Sequence, residues 1–287
     1  MQWTKLGRIF NPHENQQSWF QDTFMTPTPF QLNDDVIRVY GGLRDSSGVS
    51  RIGYVDVAAQ DPTKVINISQ KPVLDVGEAG CFDDNGMILG DVVRTLEGTV
   101  RMYYVGFQLP AKAKFLAFSG VAISHDNGET FIRHQETPIL DRAPNGRFIR
   151  AIHSVFFEDG LWKLWFAAGN GWEHIEGREY PQYNIWYTTS KDGLTFDQPE
   201  QLCLDVAKGE YRIGRPRVRR VATGYEMRFT YDTLQKEYKT GVAFSDDGIH
   251  WQRDDAKVGI TPGPEAWDAE TLCYPATITV GKKEYMF

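Results

Sequence analysis

The sequence predicts an all-β protein built from one strand unit repeated five times. Three observations carry that prediction. The first is composition: 17 Phe, 13 Tyr and 8 Trp make up 13% of the 287 residues, with 27 Gly and 14 Pro beside them. Aromatic residues favour strands, and Gly and Pro favour turns. The second is a recurring run in which one or two turn residues precede an alternating, aromatic-rich segment. The third is an interleaved run built around an Asp-Gly or Asn-Gly pair, the signal of a tight hairpin.

The first run occurs at Asp34–Tyr40, Glu97–Tyr104, Asp159–Phe166, Thr223–Phe229 and Gly281–Phe287. With Arg38, Arg101, Lys163, Glu226 and Glu284 as equivalent points, the spacings are 63, 62, 63 and 58 residues. That period is too long for a helical repeat and suits one four-stranded propeller blade. Five such runs predict a five-bladed β-propeller of four-stranded antiparallel blades, with residues 1–287 as a single domain.

An innermost strand precedes each run: Met25–Leu32, Ile88–Leu96, Phe148–Phe157, Ile213–Val221 and Thr271–Val280. Third strands at Gly120–Ile123, Asn184–Thr189 and Gly241–Phe244 lead into the second run, at Ser124–Phe131, Ser190–Phe196 and Ser245–Trp251. These turns read as blade-stabilising elements rather than chemistry. No helical periodicity is sustained anywhere. The last blade lacks its two outer strands, and Trp3–Phe10 is the candidate to supply one.

Net charge is −7 with a pI near 5.4, which argues against a nucleic-acid partner, since that would need a basic footprint. The longest uncharged apolar run, Phe115 to Ser124, is ten residues, short of the ~18 of a membrane span, so no membrane insertion is expected. No apolar leader follows Met1. Three scattered cysteines, Cys81, Cys203 and Cys273, fit neither a disulfide framework nor a zinc site, and place the protein in a reducing cytoplasm. No metal-ligand spacing is present, and no cofactor is implied.

Propellers bind ligands at one mouth of the channel that their innermost strands surround. Aligning those strands places Thr28, Asp91, His153, Arg215 and Tyr274 at the axis. Asp22, Asp83, Asp84, Arg147, Arg150, Arg212, Asp268 and Glu270 ring the mouth. Carboxylates converging from different blades are what glycoside chemistry needs, one to protonate the leaving oxygen and one to activate water or attack. Asp91, Asp83, Asp84, Glu270 and Asp22 are the candidates. Trp19, Phe82, Trp172 and Trp267 are candidates to stack on sugar faces. His153 is a candidate acid or base, or else a satisfied channel residue. Arg215, with Arg147 and Arg150, would hold a carboxylate or phosphate on the ligand. Strand alternation puts Arg215, Arg217 and Arg219 on one face and Arg220 on the other, as a largely solvated blade face.

Five blades with Asp-Gly hairpins and axial carboxylates resemble the five-bladed propeller superfamily of glycoside hydrolase families 43, 32, 68 and 130. The segments that carry the likeness are Trp3–Phe10, Gly80–Gly86, Gly214-Arg215-Pro216 and Trp267–Pro275. The closer likeness is to an uncharacterised bacterial branch associated with surface-polysaccharide gene clusters. The resemblance implies three carboxylates, an Asp on each of the first two innermost strands and a Glu on the third. Asp91 matches the second. Thr26 stands at the first, and Arg150 to His153 contains no Glu, so the triad is incomplete. The resemblance also implies further strand sequence beyond Phe287. Ser124–Phe131 additionally fits the Asp-box of sialidases, which supports a propeller rather than that activity.

The expected function is a carbohydrate-active enzyme that cleaves or transfers a glycosidic bond in bacterial polysaccharide or nucleotide-sugar metabolism. Its partner would be a carbohydrate or sugar-nucleotide ligand. Asp91 would orient or tune the other groups, Asp83 or Asp84 would be base or nucleophile, and Glu270 the acid. Non-catalytic alternatives are a glycan-binding propeller, an accessory domain of a glycosyltransferase and a protein-interaction propeller.

Overall fold

The structure is a computed structural model that describes residues 2–196 and 198–287. Four antiparallel meanders follow one another along the chain. The first is β1 (Asp22–Gln31), β2 (Val36–Arg44), β3 (Ser50–Ala58) and β4 (Asp61–Ile68). The second is β5 (Met87–Arg94), β6 (Val100–Gln108), β7 (Leu116–Ser124) and β8 (Ile132–Arg133). The third is β9 (Ile149–Glu158), β10 (Leu161–Ile175), β11 (Arg178–Ser190) and β12 (Gln201–Leu204). The fourth is β13 (Glu210–Val221), β14 (Gly224–Thr233), β15 (Tyr238–Ser245) and β16 (Gln252–Arg253). A hairpin of β17 (Thr277–Val280) and β18 (Lys283–Met286) completes the described strands. Among the described residues the only helical turns are two 3₁₀ segments, Pro12–Glu14 and Asp255–Lys257.

The chain divides into two compact units. One comprises Leu6–Ile139 with Ala276–Phe287, and holds the first two meanders and the β17–β18 hairpin. The other comprises Leu140–Pro275 with the N-terminal residues as far as Lys5, and holds the third and fourth meanders. In the first unit Ile37, Val39, Val55 and Val57 form a buried cluster against which Ile9, Phe10, Ile278 and Tyr285 pack. In the second, Trp165, Ile185, Ile213, Met227 and Phe229 form the corresponding cluster.

The hairpin turns act as the sequence reading expects. In the first, Ser124 Oγ donates to Asp126 Oδ1 at 2.6 Å and accepts the Gly128 N–H at 2.8 Å. The same Ser-Asp-Gly pattern recurs at Ser190 and Ser245. Each glycine is left-handed (φ +89°, +73° and +80°), which frees its carbonyl to face a neighbouring meander. Tyr40 of β2 donates its hydroxyl to Gly128 O at 2.7 Å, and Trp165 of β10 donates its indole N–H to Gly248 O at 2.8 Å. The aromatic strand residues thus tie one meander to the turn of the next.

Three expectations change. The fifth innermost strand begins at Thr277 rather than Thr271, because Tyr274 adopts left-handed φ of +61° and Pro275 follows it. Trp3–Phe10 forms no strand; Trp3 donates its backbone N–H to Gly259 O at 2.8 Å, while Ile9 and Phe10 contribute side chains only. The arginines of β13 are not a solvated face. Arg212 pairs with Asp232 (2.7 Å), Arg219 with Glu226 (3.0 Å) and Arg220 with Glu158 (2.8 Å), while Arg217 donates to His153 O (2.9 Å).

All four full-length innermost strands break register at equivalent points of the repeat. The breaks fall between Met25 and Thr28 in β1, Leu89 and Asp91 in β5, Ile152 and Ser154 in β9, and Gly214 and Arg217 in β13. Such bulges re-aim side chains and concentrate beside active sites. Strict alternation, on which the axial assignment rests, is reset at each of them.

Candidate functional site

In the unit that holds β5, Asp91 follows the bulge at Gly90 and is buried, with 7% of its surface exposed. Its Oδ1 accepts the backbone N–H of Val92 at 2.9 Å. The matching place in β1 is occupied by Thr26, left-handed at φ +53°, and by Thr28, whose hydroxyl donates to Thr26 O at 3.2 Å. Both threonines are buried.

The loop before β5 carries the next two carboxylates. Asp83 is fully buried and accepts Arg133 Nε and Nη2 on Oδ2 at 2.8 and 2.7 Å. Gly77 and Gly106 leave room for it, since a Cβ on either would fall within 2.4 Å of Asp83 atoms. Arg133 therefore clamps Asp83, which anchors the loop. Asp84 accepts the Gly80 N–H at 2.8 Å and Asn85 Nδ2 at 2.5 Å. Phe82 is buried in a stack on Tyr104, centroids 5.7 Å apart. Asp22 is exposed at the start of β1, where its Oδ1 lies 3.3 Å from His13 Nε2. Trp19 donates its indole N–H to Gln17 at 3.0 Å.

The other unit holds the cationic and aromatic residues. Arg150, the second residue of β9, is buried, donates to Asp141 O at 2.6 Å and pairs with Glu200. Burial pulls its pKa below the usual arginine value, although Glu200 opposes the shift. Arg147 is exposed, and its backbone N–H donates to Asn170 Oδ1 at 2.7 Å. Trp172, on β10, is half-buried against Phe148, centroids 5.8 Å apart. Trp267 and Glu270 are exposed on a loop. Between them Asp268 is buried and paired with Lys5.

Arg215 sits on the β13 bulge with a left-handed φ of +54°. Its guanidinium lies over the Tyr274 ring, 4.4 Å from the centroid. Tyr238 meets Tyr274 edge-on at 5.6 Å. Burial raises the pKa of Tyr238 and Tyr274, while Arg215 pulls both down; both phenols stay protonated at neutral pH. Arg212 lies 4.9 Å from the Tyr238 centroid and 5.9 Å from that of Tyr183. Asp232, 1% exposed, accepts Arg212, Lys236 and the Tyr211 hydroxyl on one oxygen. The sequence reading missed Asp232, Lys236, Tyr183 and Tyr238, which lie in segments with no motif of their own.

His153 is the buried residue on the β9 bulge, and burial with the fields of Arg215 and Arg217 pulls its pKa well below 6.5. The imidazole is neutral at pH 7. The unfolded chain binds a proton near pH 6.5 that the folded chain refuses. Stability is therefore complete above pH 6.5 and falls as the pH drops below it, by at most about 1.4 kcal/mol per pH unit. Chemical unfolding across pH 5 to 7 should show this slope, and His153→Leu should flatten it. An unchanged slope in the variant would assign the effect to other groups.

Among the described residues no group of three or more His, Cys, Asp or Glu is arranged to hold a metal ion. All three cysteines are free thiols, and no helix is long and apolar enough to cross a membrane.

Several solved glycoside hydrolases share this architecture. A glycosyl hydrolase from Bacteroides ovatus matches with a TM-score of 0.71 at 14% identity, over 93% of this chain and 81% of that one. A structure from the GH130 family of mannoside phosphorylases, described as containing hydrolases of β-1,2 mannosidic linkages in Candida mannan, matches at 0.69 and 15%, with the same coverage. A thermostable family-43 glycoside hydrolase matches at 0.61 and 14%, over 89% of this chain and 82% of that one. The meanders thus share the propeller-type fold of these solved glycoside hydrolases. No protein-family model matches the sequence. The chain belongs to the family of the uncharacterised proteins Rv1502 and MT1551 of two Mycobacterium tuberculosis strains, H37Rv and CDC 1551. It is 30% identical to each over 287 residues, all of this chain and 94% of theirs.

Proposed function

We propose that this protein is a carbohydrate-active enzyme of bacterial polysaccharide or nucleotide-sugar metabolism that cleaves or transfers a glycosidic bond. The single observation that supports this most is Asp91, a buried carboxylate on the β5 bulge of a glycoside hydrolase-type fold. Its negative charge would stabilise the oxocarbenium-like transition state and tune the proton-transfer groups. Asp83 and Asp84 remain the assigned base or nucleophile, and Asp84, less buried and without a cation partner in the structure, is the better placed of the two. Glu270 is the assigned acid and Asp22 a reserve carboxyl, both exposed to solvent. Arg215, Arg150, Arg147, His153, Trp172, Trp267 and Tyr274 form the assigned substrate-binding set. We place the enzyme in the cytoplasm, a reading that its three free cysteines support. The β17–β18 hairpin is read as the inner half of a fifth blade of a single-domain propeller.

A non-catalytic glycan-binding role is the second reading. Thr26 and Thr28 where a first carboxylate is expected, and Asp83 clamped by Arg133, favour it. Calorimetry joined to product analysis, on a panel of oligosaccharides and sugar nucleotides, separates the two. Turnover of any panel member by the wild-type protein supports the enzyme. Binding without product supports the glycan-binding module, and neither binding nor product overturns both.

A further inference from the structure

We propose that the Arg212–Arg215 end of β13 recognises a carboxylate carried by the sugar itself, so that the substrate class is acidic glycans containing uronic-acid-type residues. This rests on the carbohydrate reading above and adds the charge of the substrate to it.

The first support is an imbalance of charge within one unit. Arg212, Lys236 and Asp232 neutralise one another in part: Asp232 accepts Arg212 at 2.7 Å and Lys236 at 2.6 Å on a single oxygen. Arg215 has no such partner. Its strongest electrostatic neighbours are Tyr274, Tyr238, Tyr183 and Cys273, none of them a carboxylate. Its Nη1 is out of contact with solvent and makes no hydrogen bond, while the residue as a whole keeps part of its surface open. A delocalised cation in this state is stabilised as a whole by an anion at its accessible edge.

The second support is the effort of placing it there. Arg215 is left-handed at φ +54°, ahead of Pro216, and its platform Tyr274 is left-handed at φ +61°. Two bulky residues in that region, packed on each other, are strain that the surrounding structure maintains, a pattern concentrated at ligand sites. The Tyr274 backbone N–H, bonded to Thr230 Oγ1 at 2.9 Å, holds the platform in place.

The third support is the chemistry of the surroundings. The phenols of Tyr183, Tyr238 and Tyr274 offer O–H donors for carboxylate oxygens and ring faces for the C–H face of a sugar. A planar carboxylate matches the flat fork of one guanidinium, and because Arg212 and Lys236 share the single carboxylate of Asp232, inorganic phosphate is the competing anion that the test includes.

The test compares glucuronate- and galacturonate-containing oligosaccharides with the same oligosaccharides after carboxyl reduction, and with inorganic phosphate, by calorimetry. Wild-type protein should prefer the acidic member of a pair by roughly 10- to 100-fold, the range of one charge-assisted contact. Arg215→Gln should reduce that preference to about threefold or less. The wild-type comparison stands even if the variant does not fold. Equal affinity for both members, an intact preference in folded Arg215→Gln, or binding of phosphate alone would overturn the proposal. Neutral glycans that bind or turn over without an acidic preference would leave the carbohydrate reading standing while removing this one. No glycan binding at all would remove both.

Discussion

Asp91→Asn is expected to lower kcat/KM by about 10²- to 10⁴-fold on whichever glycan the wild-type protein turns over, with the fold intact. The substitution is nearly isosteric. Asn keeps the side-chain oxygen that accepts the Val92 N–H at 2.9 Å, so the bulge retains its local hydrogen bond. What is lost is the negative charge. In a site with little solvent, a fixed carboxylate near a developing cation contributes several kcal/mol to transition-state stabilisation. The readout is a pair of measurements on one sample, the melting curve and the steady-state rate. Full activity in a folded Asp91→Asn protein would remove Asp91 from the mechanism. Loss of activity together with loss of the melting transition would assign it to folding.

The largest expected change in stability is at Asp56. Arg38 of β2 is 2% exposed, and its guanidinium forms a fork–fork pair with Asp56 at 2.7 and 2.9 Å. It also donates to Gly128 O at 3.2 Å and lies 3.6 Å from the centroid of Tyr54. Burial opposes the charge, yet the Asp56 hydrogen bonds hold the Arg38 pKa above its ordinary value. Asp56→Ala leaves this cation with Glu129, half-exposed and 2.8 Å away, as its carboxylate partner in this unit. Stranding a buried charge costs about 3–5 kcal/mol, against a total stability of about 5–15 kcal/mol. A large fall in the urea midpoint should follow. The double variant Arg38→Met with Asp56→Leu should recover part of the loss, because it removes both charges and refills the volume. A double variant less stable than Asp56→Ala would show that the Arg38 contact with the Gly128 turn outweighs the ion pair.

The repeat was legible in the sequence because its causes are local. Alternating aromatic strands, the turns with Ser, Asp and Gly within four or five residues, and the 62- to 63-residue spacing of the first four equivalent points each show as a pattern along the chain. They reappear as four meanders, the last three with matching turns. The place of Asp91 on an innermost strand was legible for the same reason, since that strand could be aligned with its neighbours. The fifth innermost strand was misjudged at its start, because Tyr274 takes a backbone conformation that β propensity does not encode.

Two things were left to the tertiary structure. The first is the state of each charged side chain. Arg133 reaches Asp83 across 50 residues, Arg150 reaches Glu200 across 50, and Arg212 reaches Asp232 across 20. A cluster such as Arg212 to Arg220 therefore reads alike in sequence whether its members are solvated or paired. The second is which way the innermost strands aim their side chains. Side chains alternate with a period of two, so a single inserted residue moves everything beyond it to the opposite face. Each innermost strand of the four meanders carries such an insertion at the point where the candidate site residues lie. Strand composition sets which residues an innermost strand carries; the bulges, which depend on pairing with the next strand, set the face that each of them takes.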